Sequence, residues 1–199
     1  MKKRDFLKLG LATAATLIIP RKLKALEYYP SKSEKKWAII YGTWCGSSRD
    51  AAVWISEGMN GIANVFDSRE TPDLSGYDYI VAGGSIRSGQ TPPQFQEYIN
   101  RNQKLLSEKC RGLFAVCGNM MQPVGPKQKT DLIDNHLAKL CGISDVPSRV
   151  FLGRITLGLL DPDSRKMMES MKMQDYDNLK RAECLALGKE IYESTLAKK

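Results

Sequence analysis

Five short apolar runs, separated from one another by helical patterns, constrain the fold of this chain more than any other feature. The runs are continuous rather than alternating, as is typical of strands buried on both faces of a parallel sheet, and they occupy residues 37–41, 62–66, 77–82, 112–117 and 149–152. Apolar residues at helical spacing lie between or after them, at 48–59, from 91–94 onward, between 132 and 140, and at 175–197. This alternation predicts a three-layer α/β fold with a five-stranded parallel sheet.

One helix start is predicted from its own residues. The segment 91–94 reads Thr-Pro-Pro-Gln, which favours Thr91 as an N-cap with proline in the first turn and a capping box closed by Gln94. The apolar residues Phe95, Tyr98, Ile99, Leu105 and Leu106 would then share one side of a single helix.

The basic charge of the chain is concentrated at its N-terminus. The formal net charge is +8, but residues 1–25 hold seven Lys or Arg and one acid, which leaves the rest nearly neutral. Nothing in that remainder predicts binding to nucleic acid. With 42% hydrophobic and 26% charged residues, the chain is neither wholly disordered nor a multi-span membrane protein.

The first 25 residues have the organisation of an export signal. A basic stretch precedes the apolar residues 9–19, which are too few to span a membrane as a helix. Residues 3–8, Lys-Arg-Asp-Phe-Leu-Lys, resemble the twin-arginine signal with Lys3 in place of the first arginine. We therefore predict an export signal at 1–25, a linker at 26–35 and one folded domain at 36–199, located in the periplasm or another extracytoplasmic compartment. The alternative is an uncleaved segment that tethers the protein to the membrane.

Five cysteines and a single histidine limit the metal chemistry that is possible. No Cys-x-x-Cys pair occurs and His136 lies in a helical pattern, so neither a zinc site nor an iron–sulfur cluster is expected. The cysteines fit small buried residues. A redox pair between Cys45 and Cys117 is an alternative, because both lie at the carboxyl ends of predicted neighbouring strands.

The turn after the first strand is the strongest candidate for a binding site. Residues 43–48, Thr-Trp-Cys-Gly-Ser-Ser, run from a strand into a helix and offer hydroxyls, a glycine and the free N–H groups of a helix start. Such a turn can hold a phosphate without a basic side chain. The dinucleotide and triphosphate glycine motifs are both absent, so a phosphomonoester fits better. The same residues also fit an ordinary turn whose serines only cap the helix.

This turn resembles the phosphate loop of flavodoxins, [ST]-x-T-G-x-[ST], with Cys45 in place of the middle threonine. Residues 74–78 and 81–89 resemble the run D-L-S-x-Y-D…G-x-S-I-R-x-G of the flavodoxin-type protoporphyrinogen oxidases. The likeness continues through 95–99 and 113–117, and more loosely through 150–154, whereas 120–147 shows none.

The resemblance implies a flavodoxin-like fold that binds FMN. Thr43, Cys45, Gly46, Ser47 and Ser48 would hold the phosphate, and Trp44 would either stack on the flavin ring or lie at the surface. Ser85, Ile86, Arg87, Ser88 and Gly89 would follow one side of the ring. Cys117, Gly118 and Asn119 would lie near its pyrimidine edge. Arg87 stands where flavodoxins carry acidic residues, so a higher flavin potential is expected.

Three functions remain open on this basis. The first is an exported FMN protein that transfers electrons, as a carrier or a small flavin oxidoreductase. The second is a protoporphyrinogen or quinone oxidoreductase, and the third is a flavodoxin-fold accessory module that has lost FMN. No catalytic base or nucleophile is recognisable, so the chemistry would come from the cofactor. The expected partners are a redox protein or a quinone and the export machinery, with the membrane touched only through the signal or peripherally. The methionines at 167, 168, 171 and 173 could form a partner or membrane surface, or simply fill gaps in the core.

Overall fold

Five parallel strands form one sheet in the computed structural model, which describes residues 30–118 and 124–197. The predicted export signal and Asn119 lie outside these residues. The sheet order is β2-β1-β3-β4-β5, with strand bounds of β1 Trp37–Gly42, β2 Ala63–Asp67, β3 Tyr79–Ser85, β4 Cys110–Cys117 and β5 Ser148–Leu152. In this doubly wound order β2 lies on one side of β1, whereas β3, β4 and β5 follow on the other side. The order therefore switches between β1 and β3, which opens a crevice at the carboxyl ends of these two strands.

The helices cover both faces of the sheet. On one face, α1 (Ser47–Gly58) and the C-terminal helix Arg181–Ala197 close a core that contains Ile39, Phe114 and Phe151. On the other face, three helical segments enclose Ile40, Leu113 and Leu137. They are α2 (Pro93–Arg101), α3 (Gln103–Lys109) and α4, which runs from 126 to 141 and is π-helical over Thr130–Ala138. The predicted three-layer α/β architecture is confirmed.

The predicted start of the helix after β3 and its predicted length are both wrong. Helix α2 begins at Pro93 after Pro92, and no side chain caps it. Thr91 does not act as an N-cap because its hydroxyl is paired with the His136 ring at 3.0 Å. The single helix expected beyond Phe95 is interrupted at Asn102, where α3 follows as a separate segment.

The last predicted helix begins later than expected because the chain leaves the sheet after β5. Short strands β6 (Arg154–Ile155) and β7 (Tyr176–Asp177) pair antiparallel outside the main sheet. Between them lie a 3₁₀ turn, Leu157–Leu159, and helix α5, Pro162–Ser170. The C-terminal helix, α6, therefore starts at Arg181 instead of residue 175. We refer to residues 156–175 as the flap; none of its residues is buried.

No helix in the described ranges is long and apolar enough to cross a membrane. Residues 30–36, which contain neither helix nor strand, lead into β1.

Candidate functional site

A groove opens at the carboxyl ends of β1, β3 and β4, with a cavity of about 180 Å³. The structure brings eight of the residues expected from sequence into its lining: Trp44, Cys45, Ser47, Ser85, Ile86, Arg87, Ser88 and Gly118. Thr43, Gly46, Ser48, Gly89 and Cys117 are not among the lining residues. The remaining wall comes from β6 and the flap: Arg154, Ile155, Leu160, Ser164, Met167 and Met168. Of these residues the sequence indicated only the two methionines, as a candidate partner surface or as core packing, and none of the six as part of a cofactor site.

The loop between β1 and α1, residues 43–46, is called the phosphate-type loop below, and two side-chain oxygens hold it in shape. The Gly46 N–H donates to Thr43 Oγ1 at 2.9 Å, and the Trp44 N–H donates to Ser85 Oγ at 3.0 Å. Gly46 has φ +88°, a conformation that glycine adopts without steric cost. Thr43 and Ser85 therefore shape this loop, and Ser85 does so while it also lines the groove.

The start of α1 carries polar groups that no atom of the described residues satisfies. No side chain caps the helix, and the backbone N–H groups of Ser47 and Ser48 donate to no atom of the described chain. The Ser48 Oγ is fully buried and likewise has no hydrogen-bond partner within these ranges. A buried polar group left unpaired costs about 1–3 kcal/mol. Free amides at a helix start and an orphan hydroxyl suit an oxyanion, so the residues present fit a phosphate group.

The cysteines near the groove are not activated. Burial raises the pKa of the Cys45 thiol, an effect that the neighbouring Arg87 partly offsets. Burial also raises the pKa of Cys117 to about 12. Both thiols are free, so no Cys45–Cys117 disulfide is present. Because a neutral thiol is a weak donor, Cys45 contributes less to an anion site than the threonine it replaces in the flavodoxin motif.

Arg87 connects the loop after β3 with the flap. Its guanidinium lies over the Trp44 ring, 4.5 Å from the ring centroid. Its Nη1 donates to Asp161 Oδ2 at 3.0 Å and to Ser164 Oγ at 3.2 Å. Hydrogen bonds from Ser164 and Arg87 hold the pKa of Asp161 well below its usual range. Of the two placements expected for Trp44, the ring is at the groove rim, 39% exposed, and in contact with Arg87.

Arg154 anchors the base of the flap to the start of α1. Its Nη2 donates to Asp50 Oδ2 at 2.6 Å, in the first turn of the helix, and its Nη1 donates to Asp177 at 3.4 Å. The hydrogen bond to Asp50 raises the pKa of Arg154. The Tyr176 hydroxyl also donates to the Gly118 carbonyl. These contacts join the first turn of α1 and the end of β4 to the base of the flap.

A second depression, of about 520 Å³, lies near Tyr79 and Cys110, at the ends of the strands opposite to the groove. It is at the amino ends of β3 and β4, whereas ligands of doubly wound sheets bind at the carboxyl ends. No group of three or more His, Cys, Asp or Glu side chains in 30–118 and 124–197 is arranged to hold a metal ion.

Solved structures of similar fold were found for this chain. The rubredoxin:oxygen oxidoreductase of Desulfovibrio gigas is 13% identical, with a TM-score of 0.53 over 94% of this chain and 42% of that one. Flavodoxin 1 of Bacillus cereus is 17% identical, with a TM-score of 0.51 over 79% of this chain and 97% of that one. The flavodiiron protein of Giardia intestinalis is 12% identical, with a TM-score of 0.51 over 82% and 37% of the two chains. At these identities the likeness establishes the fold alone. The chain spans only about two fifths of the oxidoreductase and flavodiiron chains.

Sequence comparison supplies the family. No curated protein matches the sequence. The family described as "Flavodoxin domain" matches residues 38–180, well over half of the chain and all five strands of the sheet. The chain belongs to the flavodoxin domain family.

Proposed function

We propose that this protein binds FMN and transfers electrons, as a carrier or as a small flavin oxidoreductase. The observation that carries the proposal is the unsatisfied start of α1, where the Ser47 and Ser48 amides and the buried Ser48 hydroxyl have no partner among residues 30–118 and 124–197. The start of α1 lies at the topological switch point between β1 and β3, beside a groove that is lined by both polar and apolar residues. When bound, FMN would supply reversible one- and two-electron chemistry.

The residues of the chain would bind and orient the cofactor without reacting themselves. Thr43 and Ser85 fix the loop, the Ser47 and Ser48 amides bind the phosphate, and Arg87 faces the ring side of the groove. The ionisable side chains that line the groove are Cys45, Arg87 and Arg154, among the described residues. None of them is a base at neutral pH, so proton transfer by a protein side chain forms no part of this proposal.

A partner would approach at the exposed apolar rim of the groove. Trp44, Leu159, Met167 and Met171 are large apolar residues with 39–62% exposure, and all four lie on the phosphate-type loop or the flap. A redox protein or a quinone could accept electrons there, which includes the protoporphyrinogen or quinone oxidoreductase alternative. We also propose that residues 1–25 direct export, so that the protein meets this partner outside the cytoplasm.

One observation favours an accessory module that has lost FMN. The groove of about 180 Å³ is close to the roughly 150 Å³ of a cavity that holds one benzene ring, whereas FMN carries three fused rings. Together with Cys45 in the loop, this makes loss of the cofactor the second candidate.

Titration of the full-length protein with FMN distinguishes an FMN-binding electron-transfer protein from an accessory module that has lost FMN. Saturable binding that perturbs the flavin absorbance supports the FMN protein, and a colourless protein that leaves the flavin spectrum unchanged supports the accessory module. The variant Cys45→Thr restores a hydroxyl donor to the loop. A hydrogen bond to a charged phosphate is worth about 1.5–3 kcal/mol, so we expect FMN affinity to rise about tenfold or more.

Riboflavin is the matched control ligand because it lacks the phosphate. Cys45→Thr should leave its affinity unchanged within about twofold, since the affected donor would contact only the phosphate. Equal tightening of riboflavin and FMN would show that residue 45 contacts the ring and not the phosphate.

A further inference from the structure

The flap is attached to the rest of the molecule at its base and at one point further along. At the base, β6 pairs with β7 and the Asn178 N–H donates to the Gly153 carbonyl at 3.0 Å. Further along, Arg87 bonds Asp161 and Ser164. The apolar flap residues Leu157, Leu160 and Met168 are only partly buried, so apolar burial alone holds the flap down weakly. Its position over the groove depends on these polar contacts.

The flap also limits the size of the groove. Leu160, Ser164, Met167 and Met168 form its outer wall, opposite Cys45, Ile86 and Gly118. With this wall in place, the cavity accommodates about one aromatic ring. Outward movement of the flap would enlarge the groove and leave the phosphate-type loop in place, since that loop is held by Thr43 and Ser85.

We propose that residues 156–175 are a lid over the FMN site and that the pair between Arg87 and Asp161 is its latch. This inference rests on the proposed FMN binding. FMN enters when the latch opens, and the Leu160 and Met168 side chains move away from the position of the flavin ring. Arg87 thus acts first as a positioning residue for the lid.

The latch has the strength that a reversible lid requires. The side chains of Arg87 and Asp161 are 36% and 50% exposed, and exposed pairs of this kind shift an equilibrium by only about two- to fivefold. The contact of Arg87 with Trp44 keeps the guanidinium at the groove rim when the pair is broken. The base is held more firmly, because Arg154 bonds both Asp50 and Asp177.

The variant Asp161→Asn should break the pair with Arg87 and keep the second role of Asp161, which is to cap a helix. Asp161 is the N-cap of α5, where its Oδ1 accepts from the Ser164 N–H at 3.0 Å. Asparagine also caps helices well, but its amide group would place a donor against the Arg87 donor. The control is Asp163→Asn, which removes the same charge from the same helical turn, and the Asp163 side chain forms no hydrogen bond or ion pair with any described residue.

Hydrogen exchange of the full-length protein without FMN tests the latch directly. We expect amides of residues 157–170 to exchange about two- to fivefold faster in Asp161→Asn than in wild type, with no change in β3 or β4. Asp163→Asn should match wild type. Arg87→Gln should loosen the same amides at least as much, because Arg87 also bonds Ser164. The double variant Arg87→Gln/Asp161→Asn should be no looser than Arg87→Gln, since that single variant already breaks the pair with Asp161. Equal exchange in Asp161→Asn and Asp163→Asn overturns the latch.

The rate of FMN association tests the lid. Stopped-flow mixing of FMN with the Asp161→Asn protein should give an association rate about two- to fivefold above that of wild type and of Asp163→Asn. A faster-exchanging flap with an unchanged association rate overturns the lid while FMN binding stands. Failure of wild type and all variants to bind FMN overturns the proposed function and, with it, the assignment of the lid to FMN.

Discussion

At the residue scale, Arg87 carries a positive charge on the ring side of the proposed site and shares it with Asp161. A cation near a reduced, negatively charged flavin stabilises it, so Arg87→Ala should lower the FMN midpoint potential, by roughly tens of millivolts. Loss of Arg87 also leaves the Asp161 carboxylate unpaired, which acts in the same direction. The measurement is a spectroscopic redox titration of the FMN-loaded protein.

Two further variants check this assignment to Arg87. Asp161→Asn removes the compensating anion and should raise the potential. Arg149→Ala breaks an exposed pair with Glu190 at the start of β5, on the opposite edge of the sheet, and should leave the potential unchanged. A potential that stays the same or rises in Arg87→Ala would contradict the electrostatic argument.

Sequence analysis identified the site residues whose hydrogen-bond partners are close in the chain. It missed those whose partners are distant in the chain. The phosphate-type loop is a local motif, because the Gly46 N–H bonds Thr43 only three residues earlier. Arg154, by contrast, bonds Asp50 across 104 residues, and the Arg87–Asp161 contact spans 74. No periodicity or local spacing reports such contacts. The flap wall of the groove therefore emerged only from the fold.

At the element scale, His136 joins α4 to the loop that bears Arg87. The Thr91 N–H donates to His136 Nε2 at 3.2 Å, which requires an unprotonated nitrogen. Burial lowers the pKa of His136, so the folded protein binds a proton less readily than the unfolded chain. The stability that this contact supplies is present above about pH 6.5, the unfolded value, and is lost as pH falls through the lower folded value.

We expect the free energy of unfolding to decrease from pH 7.5 to 5, with up to about 1 kcal/mol of the decrease due to His136, since its ring is only half-buried. In His136→Gln, whose amide oxygen can still accept a hydrogen bond but does not titrate in this range, that component should disappear. Urea unfolding of both proteins at several pH values measures the difference. Parallel pH profiles for the two would rule out His136 as its source.

Strands were predicted from sequence more reliably than helix ends. A strand buried on both faces leaves a continuous apolar run, and all six residues of β1 are buried. Helix ends depend on which competing partner a capping side chain finds, as with Thr91 and His136. The flap was not predicted because it has neither a buried face nor a repeating pattern, so residues 175–180 were assigned to the last helix.

The contact between α1 and α6 depends on two glycines that bring the helices close together. A Cβ atom at Gly188 would overlap the Ile55 carbonyl oxygen, and one at Gly58 would overlap that of Leu185. Gly188→Ala should therefore destabilise the protein by about 1–3 kcal/mol through overpacking against backbone, as measured by denaturant unfolding. The control is Gly158→Ala in the flap, where an added Cβ meets nothing within 4 Å, and its change should stay within about 0.5 kcal/mol. Helix propensity and the entropy of the unfolded chain both favour alanine over glycine, so similar losses in the two variants would contradict overpacking at Gly188 as the cause.

At the scale of the whole molecule, residues 31–35 and the proposed site lie at opposite ends of the strands of the sheet. Residues 31–35 lie beside Trp37 and Tyr79, at the amino ends of β1 and β3, whereas the groove lies at the carboxyl ends. Six residues of β1 separate these ends, roughly 20 Å along the strand. If residues 1–25 tether the protein to a membrane, the groove would face away from the attachment point and remain open to a soluble partner.

This separation predicts that the N-terminal segment and the site are independent. A chain that lacks residues 1–25 should bind FMN with the affinity of the full-length protein, within about twofold, and should unfold at the same denaturant concentration. The charge of the segment does not alter this expectation, since fields from exposed charges are screened beyond about 8–10 Å at moderate ionic strength. FMN titration of both proteins at about 0.15 M salt makes the comparison, and a repeat at low salt exposes any long-range electrostatic contribution. Weaker FMN binding by the truncated chain at both salt concentrations would mean that residues 1–25 contact the folded domain. The prediction that the N-terminal segment and the site are independent would then be wrong.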